Sequence, residues 1–207
     1  MEAKTEMGVR CPHCGRIQKV TRWRLVNLET EPLAKLRAMK GTLLSAPCEK
    51  CGEMLHFRYG VIVYDPAHRA MVYLCPEEEE QDSQTLSALP PEQGYKLRLV
   101  YTEEELAEKL QIFDAGLEDT VIELVKVFYF MQFHQGNPEE TVVQAVFSAM
   151  QEPCIQLRCK SGKRFALPLK MDYYKKVQAQ YQERIWRRSG PGMQRIDAAW
   201  ASGVLEL

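Results

Sequence analysis

Two short stretches decide the fold of the N-terminal part of the chain: Cys11-Pro12-His13-Cys14-Gly15 and Cys48-Glu49-Lys50-Cys51-Gly52. In each stretch two residues separate the cysteines, and this spacing lets a tight turn, called a knuckle below, direct both sulfur atoms to one metal ion. The glycine after each pair relieves the turn, so that backbone N–H groups can point at the sulfur atoms. Four sulfur atoms at the corners of a tetrahedron suit zinc. We therefore predict one zinc ion with these ligands: Cys11, Cys14, Cys48 and Cys51.

The four sulfur ligands indicate a structural metal rather than a catalytic one. A shell of four thiolates leaves no position for water or substrate, whereas a catalytic zinc keeps one position open. Iron in the same site and a redox role for one cysteine pair are the alternatives, and two matched knuckles favour zinc over both. His13 and His56 lie near the knuckles in the sequence and are the candidate substitute ligands. In so small a module the metal is expected to supply folding free energy on the order of 10 kcal/mol.

The remaining cysteines and the motif content give no sign of catalysis. The chain has 7 cysteines, an odd number, and we interpret Cys75, Cys154 and Cys159 as small buried side chains. The sequence lacks the GxSxG, HExxH, Walker A and GxGxxG patterns. No catalytic residue and no cofactor other than zinc is therefore predicted.

Composition and charge narrow the classes of partner. The chain has 207 residues, is 45% hydrophobic and carries a net charge of -1, so it has no overall attraction for nucleic acid or anionic lipid. Residues 1–10 contain charges and no apolar run, which excludes a secretory signal there. The longest apolar stretch, Val121 to Phe133, is shorter than the roughly 20 residues that a bilayer requires. We expect a cytoplasmic chain with no membrane partner.

A change in composition divides the chain. Residues 77–94 begin with four glutamates, continue with serine, glutamine and proline, and contain little apolar material, so this segment is predicted to be a linker. Residues 1–76 then form the zinc-ribbon module, and residues 95–207 form a second domain. The predicted fold class is α+β.

In the first module we predict a small antiparallel sheet with one inserted helix. Residues 16–26 alternate as a half-buried strand, with Ile17 on the apolar face and Gln18 on an exposed basic face. A helix begins near Pro32 and ends at Gly41. The further predicted strands are Thr42 to Ala46, Met54 to Tyr59, Val61 to Tyr64 and Ala70 to Leu74, and Asp65 to His68 supply the turn between the last two.

The second domain is predicted to contain a β-meander with flanking helices. Thr102 to Glu105 is a capping box that starts a helix, and a longer helix follows from Leu117 to about His134. Residues 141–150 fit a strand or a helix, and the β-branched and aromatic content favours the strand. The other predicted elements are a strand Tyr95 to Tyr101, a hairpin of Ile155 to Cys159 with Arg164 to Leu169, and a helix from Asp172 to Arg188.

The first strand also carries a local positive charge. Residues 10–24 include five basic side chains and no acidic ones, with Trp23 among them. Phosphates attract cations and bases stack on aromatic rings, so this strand is a candidate nucleic-acid surface. The basic residues are Arg10, Arg16, Lys19, Arg22 and Arg24.

An ordered set of segments resembles the bacterial CpXC family, which takes its name from two Cys-Pro-X-Cys knuckles. The segments are the two knuckles, residues 26–33, residues 63–66 and residues 112–119. The resemblance implies a paired-cysteine metal site at the four knuckle cysteines, and no biochemical role. This chain departs from the family pattern at the second knuckle, where Glu49 replaces the expected proline and Pro47 precedes the cysteine.

The sequence thus predicts a zinc-binding adaptor that acts through a protein partner. One alternative is nucleic-acid binding through the strand from Arg10 to Arg24, and another is an enzyme with its active site in the C-terminal domain. The apolar stretch Val121 to Phe133 is expected to be buried on nearly all sides, either in the core of one chain, which is the favoured outcome, or at the surface of a homo-oligomer.

Overall fold

The computed structural model describes residues 3–76, 94–149 and 151–206. Compact contacts divide the chain into two units, Met1–Ala107 and Glu108–Leu207. This boundary falls after the one predicted at residue 94, inside a helix. The predicted linker lies outside the described residues, apart from Gly94, and it stays a prediction. Helices and several small sheets confirm the mixed α+β class.

The first unit contains two separate hairpins and one four-stranded sheet. Strands β1 and β2 pair antiparallel, as do β4 and β5, while the larger sheet has the order β3-β6-β7-β8. In that sheet β6 and β7 are antiparallel, and the two outer pairs are parallel. The strands are β1 (Lys4–Arg10), β2 (Ile17–Trp23), β3 (Leu25–Asn27), β4 (Ser45–Pro47), β5 (Met54–His56), β6 (Val61–Asp65), β7 (Ala70–Leu74) and β8 (Lys96–Val100).

The core of this unit lies in the four-stranded sheet. All five residues of β7 are buried, as are four of the five in β6, which explains their unbroken apolar sequences. A 3-10 turn, Pro66–His68, joins the two strands at the predicted position and ends at Arg69 with a φ of 48°. The unit therefore has an apolar core besides the cysteine hairpins.

Helix α1 (Pro32–Met39) lies between the two hairpins, as predicted. Proline occupies its first turn, and Gly41 follows its end with a φ of 64°, a conformation that glycine adopts without strain. The Arg37 guanidinium donates hydrogen bonds to the carbonyl groups of Thr42 and Leu43 and to that of Ser45. These bonds attach the helix to the segment that enters β4, which leads directly into the second knuckle.

The second unit contains a β-meander and helices, as predicted. The sheet order is β11-β10-β9 with antiparallel pairing throughout, and residues 141–150 include a strand rather than a helix. The strands are β9 (Val142–Ser148), β10 (Cys154–Cys159) and β11 (Arg164–Pro168), and the helices are α2 (Glu103–Asp114), α3 (Asp119–Gly136), α4 (Met171–Arg188) and α5 (Ala198–Leu205). Helix α2 begins in the first unit, where the N-cap of the predicted capping box is confirmed: the Glu105 N–H donates to Thr102 Oγ1 over 3.1 Å, while the Glu105 carboxylate accepts from the Tyr101 N–H.

The structure corrects three sequence interpretations of these elements. The strand predicted for the second domain, β8, pairs instead with β7 in the sheet of the first unit, because its apolar face extends that core. Strand β1 is absent from the sequence prediction, since alternating intermediate burial in Lys4–Arg10 leaves no apolar run to detect. Helix α5 is absent as well, although its N-cap Asp197 accepts a hydrogen bond from the Trp200 N–H, which is a start signal visible in the sequence.

Candidate metal centre

The first knuckle forms the turn of the β1–β2 hairpin. The Cys11 N–H donates to the Arg16 carbonyl over 2.8 Å, and the Gly15 N–H donates to the Cys11 carbonyl over 3.0 Å. Gly15 has a φ of 72°, and a Cβ at this residue would meet no atom within 4 Å, so the backbone conformation alone explains the glycine. The turn places both cysteines of the pair on the same side.

The second knuckle repeats this geometry between β4 and β5. The Cys48 N–H donates to the Glu53 carbonyl over 2.8 Å, and the Gly52 N–H donates to the Cys48 carbonyl over 2.9 Å. Gly52 has a φ of 75°. Glu49 in place of proline therefore leaves the knuckle conformation unchanged.

The two knuckles bring their four sulfur atoms together. All four lie within 4.8 Å of one another, so Cys11, Cys14, Cys48 and Cys51 could hold a metal ion. Two of the pairs join different knuckles: Cys11 Sγ lies 3.7 Å from Cys51 Sγ, and Cys14 Sγ lies 3.6 Å from Cys48 Sγ. A tetrahedral zinc with Zn–S bonds of about 2.3 Å requires edges of about 3.8 Å between sulfur atoms. The chemistry of the four donors and the two edges between knuckles therefore fit zinc.

Burial differs between the two cysteines of each knuckle. The first cysteine of each pair is buried, at 1% exposed for Cys11 and 3% for Cys48, while Cys14 is half-buried and Cys51 is exposed. The buried sulfurs form a small apolar cluster with Leu55, which is separate from the core of the four-stranded sheet. Val9, Cys14 and Phe57 pack against this cluster. The site is closed towards the protein and open at one edge.

The local electrostatics distinguish the sulfur atoms of the second knuckle. Hydrogen bonds from the backbone N–H groups of Cys51 and Lys50 lower the pKa of the Cys48 thiol to about 6, despite opposing desolvation. A backbone hydrogen bond from Glu53 would lower the pKa of Cys51, but desolvation and the neighbouring sulfur atoms outweigh it and raise that pKa to about 12. Thiolates so close together repel one another, and a divalent cation would reduce that repulsion because it binds the deprotonated form of each ligand.

One residue at this site, Gln18, differs from its sequence prediction. The prediction places it on the exposed face of the first strand, but the alternation has the opposite phase: Gln18 is 7% exposed and its neighbour Ile17 is 58% exposed. The Gln18 side chain reaches the second hairpin, where it accepts from the Glu49 N–H and donates to the Pro47 carbonyl. Such a contact between hairpins leaves no periodic signal, because its partners are backbone atoms that are distant in the chain.

The basic residues between Arg10 and Arg24, predicted as a nucleic-acid surface, do not share one face of the β1–β2 hairpin. In the β1–β2 ladder Arg10 lies opposite Ile17 and Lys19 opposite Gly8, whereas Arg22 lies opposite Thr5 on the other face. Lys19 pairs with Glu6 over 2.7 Å, and the Arg22 guanidinium lies 5.1 Å from the centre of the Tyr59 ring. Trp23 is half-buried beneath the Lys4 ammonium group. The aromatic ring and two of the five cations are thus engaged within the unit.

The second unit contains a buried set of charged side chains, called the ion cluster below, that no sequence pattern indicates. Its members are Glu108, Lys109, Asp119, Glu123 and Lys126, on helices α2 and α3. Lys109 Nζ lies 3.2 Å from Asp119 Oδ2 and 3.5 Å from Glu123 Oε1, and Lys126 Nζ lies 3.0 Å from Glu123 Oε1.

Backbone groups complete the ion cluster. The Phe147 N–H donates to Glu108 Oε1, and Lys109 donates to the Ile196 carbonyl over 2.7 Å, so the cluster connects the two helices to β9 and to the chain before α5. The side chains are at most 11% exposed. We assign the ion cluster to stability, because a substrate has no access to its charged atoms.

The predicted substitute ligands are not in the metal centre. Among the described residues the group of close sulfur atoms contains no histidine, so neither His13 nor His56 joins it. Cys75 and Cys159 are buried as predicted, and Cys154 is half-buried. In the described part of the chain, no helix is both long and apolar enough to cross a membrane.

Comparison with known proteins gives one result. The family described as CpXC protein matches residues 9–126, which is more than half of the chain and includes both knuckles. No curated protein and no solved structure matches the chain.

Proposed function

The chain belongs to the CpXC family, and from this premise we propose that it is a zinc-binding adaptor protein whose zinc has a structural role. The observation that carries the proposal is the set of four sulfur atoms within 4.8 Å of one another, with edges between knuckles of 3.6 and 3.7 Å. These edges match a zinc tetrahedron, and four cysteine ligands leave no open position. When bound, zinc would supply a cross-link between the two hairpins and would offset two of the four negative charges of the thiolates.

Metal analysis tests this proposal directly. Protein purified without chelator is expected to contain one zinc per chain, and cobalt substitution should give the charge-transfer and d–d absorption of a tetrahedral thiolate site. A protein without zinc, whose thiols also fail to bind added cobalt, would contradict the zinc assignment. Iron in the purified protein, detected by its visible absorption, would mean that the four cysteines bind iron and not zinc.

Exposed apolar side chains of the first unit support a protein partner. Leu33 and Leu36 are 76% and 49% exposed on one side of α1, and Met54 is 46% exposed beside the second knuckle. Large apolar side chains grouped at the surface are typical of protein-docking sites. A photo-crosslinking amino acid at position 33 should capture a partner in cells, and the same probe at Glu6 should not. Equal capture at both positions would argue against docking on α1.

The protein partner, the cytosolic setting and self-association are parts of this proposal. In the stretch proposed for a homo-oligomer, Val121 to Val125 are buried, and the exposed large apolar residues are Phe130 at 39% and Met131 at 50%. We therefore narrow that surface to the C-terminal half of α3. Sedimentation of the wild type against Met131→Glu tests it, since self-association through this surface requires the wild type to be larger.

The nucleic-acid alternative receives less support from the structure than the protein partner. Its cations lie on both faces of the β1–β2 hairpin and Trp23 is covered by Lys4. We expect no binding of single-stranded RNA in a filter assay at about 150 mM salt, since few phosphate contacts remain possible there. Submicromolar binding that is lost in Arg16→Ala with Arg24→Ala would favour the nucleic-acid function.

A further inference from the structure

The Gln18 side chain holds the backbone on both sides of Cys48. Its Nε2 donates to the Pro47 carbonyl over 3.1 Å, and its Oε1 accepts from the Glu49 N–H over 2.9 Å. Gln18 is buried on β2 opposite Val9, which itself packs against the apolar cluster of Cys11, Cys48 and Leu55. One side chain of the first hairpin therefore fixes the segment that carries the most buried ligand of the second.

The chemistry of the two partners determines how the amide must be oriented. A carbonyl group only accepts and an N–H group only donates, so the reverse orientation of the Gln18 amide would lose both bonds. Beside an apolar cluster, a backbone group without a partner carries a desolvation cost, and Gln18 satisfies one group from each of two residues. The amide thus favours a single placement of the second knuckle.

From this geometry we propose that Gln18 is a positioning residue of the metal site, which holds the second knuckle against the first before the metal binds. The inference rests on the proposed zinc function and adds the reason why the two hairpins meet. Without a fixed relation between the hairpins, the metal would have to order them as it binds, and part of its binding free energy would be consumed in that step.

A comparison of the two knuckles supports this role. A proline after the first cysteine of a knuckle has no N–H to donate, whereas Glu49 supplies the N–H that Gln18 accepts. In the first knuckle the corresponding residue is Pro12. The second residue of β5, Leu55, corresponds to Gln18 in the second hairpin and is buried in the apolar cluster. At these corresponding positions, a polar side chain of the first hairpin holds the backbone of the second, and the second hairpin has an apolar side chain instead.

A pair of matched variants tests the role of Gln18. Gln18→Met keeps the length and approximate shape of the side chain and removes both hydrogen bonds, whereas Thr21→Met introduces the same side chain at an exposed residue of the same strand. We expect Gln18→Met to raise the Kd for zinc by about 10- to 100-fold, the range found when groups that orient metal ligands are replaced. Thr21→Met should leave the Kd nearly unchanged. At saturation, cobalt-loaded Gln18→Met should keep its tetrahedral thiolate spectrum, because all four sulfur atoms remain.

A double-mutant cycle with Glu49→Pro makes the test specific for the proposed contact. Glu49→Pro gives the second knuckle the proline that the first knuckle has and removes the N–H donor, so Gln18→Met should cost less affinity in that background than in the wild type. An equal loss in both backgrounds, or a wild-type Kd in Gln18→Met, would overturn the proposal while zinc binding itself stands. A wild type that binds no zinc would instead refute the proposed function.

Amide exchange keeps the proposal testable if either variant fails to fold. In the metal-free wild type, the Glu49 N–H should exchange with solvent more slowly than an unprotected amide, because Gln18 continues to bind it. Exchange of this amide at the unprotected rate after metal removal would show that the metal, and not Gln18, places the knuckle.

Discussion

The cysteine hairpins of the first unit and the ion cluster of the second both remove charge from water, but they balance it from different sources. In the hairpins four thiols lie within 4.8 Å of one another, and in the proposed function a bound metal ion balances part of the charge of their deprotonated forms. In the ion cluster three carboxylates face two ammonium groups of the same chain. The first region should depend on metal concentration, and the second should depend on pH.

The two regions also differ in how much of the surrounding structure depends on them. Three buried residues, Cys11, Cys48 and Leu55, form the cluster beneath the metal site. The core of the four-stranded sheet in the same unit is larger and does not include the four knuckle cysteines. Metal loss is therefore expected to open the hairpins and to leave the sheet folded, a smaller effect than the sequence alone suggested. Loss of the ion cluster is expected to affect more of its unit, because the cluster connects two helices, a strand and the segment before α5.

The largest expected effect is the loss of metal in Cys48→Ser. Serine is a poor zinc ligand, and the buried Cys48 sulfur lies 3.6 Å from Cys14 Sγ in the closed tetrahedron. Elemental analysis should find one zinc in the wild type and close to none in the variant. Amide exchange should rise in residues 4–23 and 45–56 while β6 and β7 remain protected. Cys154→Ser is the control and should keep its zinc, since Cys154 lies outside the cysteine cluster.

The next effect is the destabilisation of the second unit by Lys109→Met. Asp119 and Glu123 are buried beside Lys109, and removal of one member of a buried ion pair costs about 3–5 kcal/mol. Urea unfolding measures the loss. The same substitution at the exposed Lys175 should change the unfolding free energy by less than about 0.5 kcal/mol. Comparable values for the two variants would mean that the ion cluster is not held by Lys109.

A smaller effect concerns the pH dependence set by Glu123. Desolvation raises the pKa of this carboxyl group above its ordinary value, and the attraction of Lys126 and Lys109 offsets only part of the rise. Between the unfolded and folded pKa values the folded state keeps a proton that the unfolded state has lost. The unfolding free energy should therefore fall as pH rises through the folded pKa, by about 1.4 kcal/mol for each pH unit by which that pKa is raised.

Glu123→Gln should flatten this dependence, because glutamine cannot ionise. Urea titrations from acidic to mildly alkaline pH test the change, and Glu183→Gln on the exposed face of α4 serves as the control. Identical pH profiles for the wild type and Glu123→Gln would place the titrating proton elsewhere.

The smallest expected effect distinguishes backbone strain from packing at the knuckles. Gly15 has a φ of 72° and open space around its Cβ position, so Gly15→Ala should cost only the left-handed backbone conformation, about 1–2 kcal/mol. Zinc affinity would fall by about 5- to 30-fold as a result. Gly8→Ala is the matched control on the same hairpin, since Gly8 has equally open space and no positive φ. Competition with a chelator measures both variants.

The sequence by itself determined the features that depend on neighbours in the chain. The spacing of Cys11 and Cys14, repeated at Cys48 and Cys51, defines each knuckle within five residues, because the turn and the glycine after it are local. The capping box at Thr102, the 3-10 turn at Pro66 and the strands of the β-meander are local for the same reason, and the structure confirms them.

Only the tertiary structure decided which elements meet. The strand β8 fits either unit by its sequence, and its pairing with β7 is set by the apolar edge that β7 presents. The placement of Gln18 against Pro47 and Glu49, and of Lys109 against Asp119 and Glu123, joins residues whose separation in the chain follows no periodic rule. Polar side chains such as these usually face solvent, and they are buried only where a hydrogen-bonding or oppositely charged partner lies close to them in space. The sequence does not show which residue that partner is.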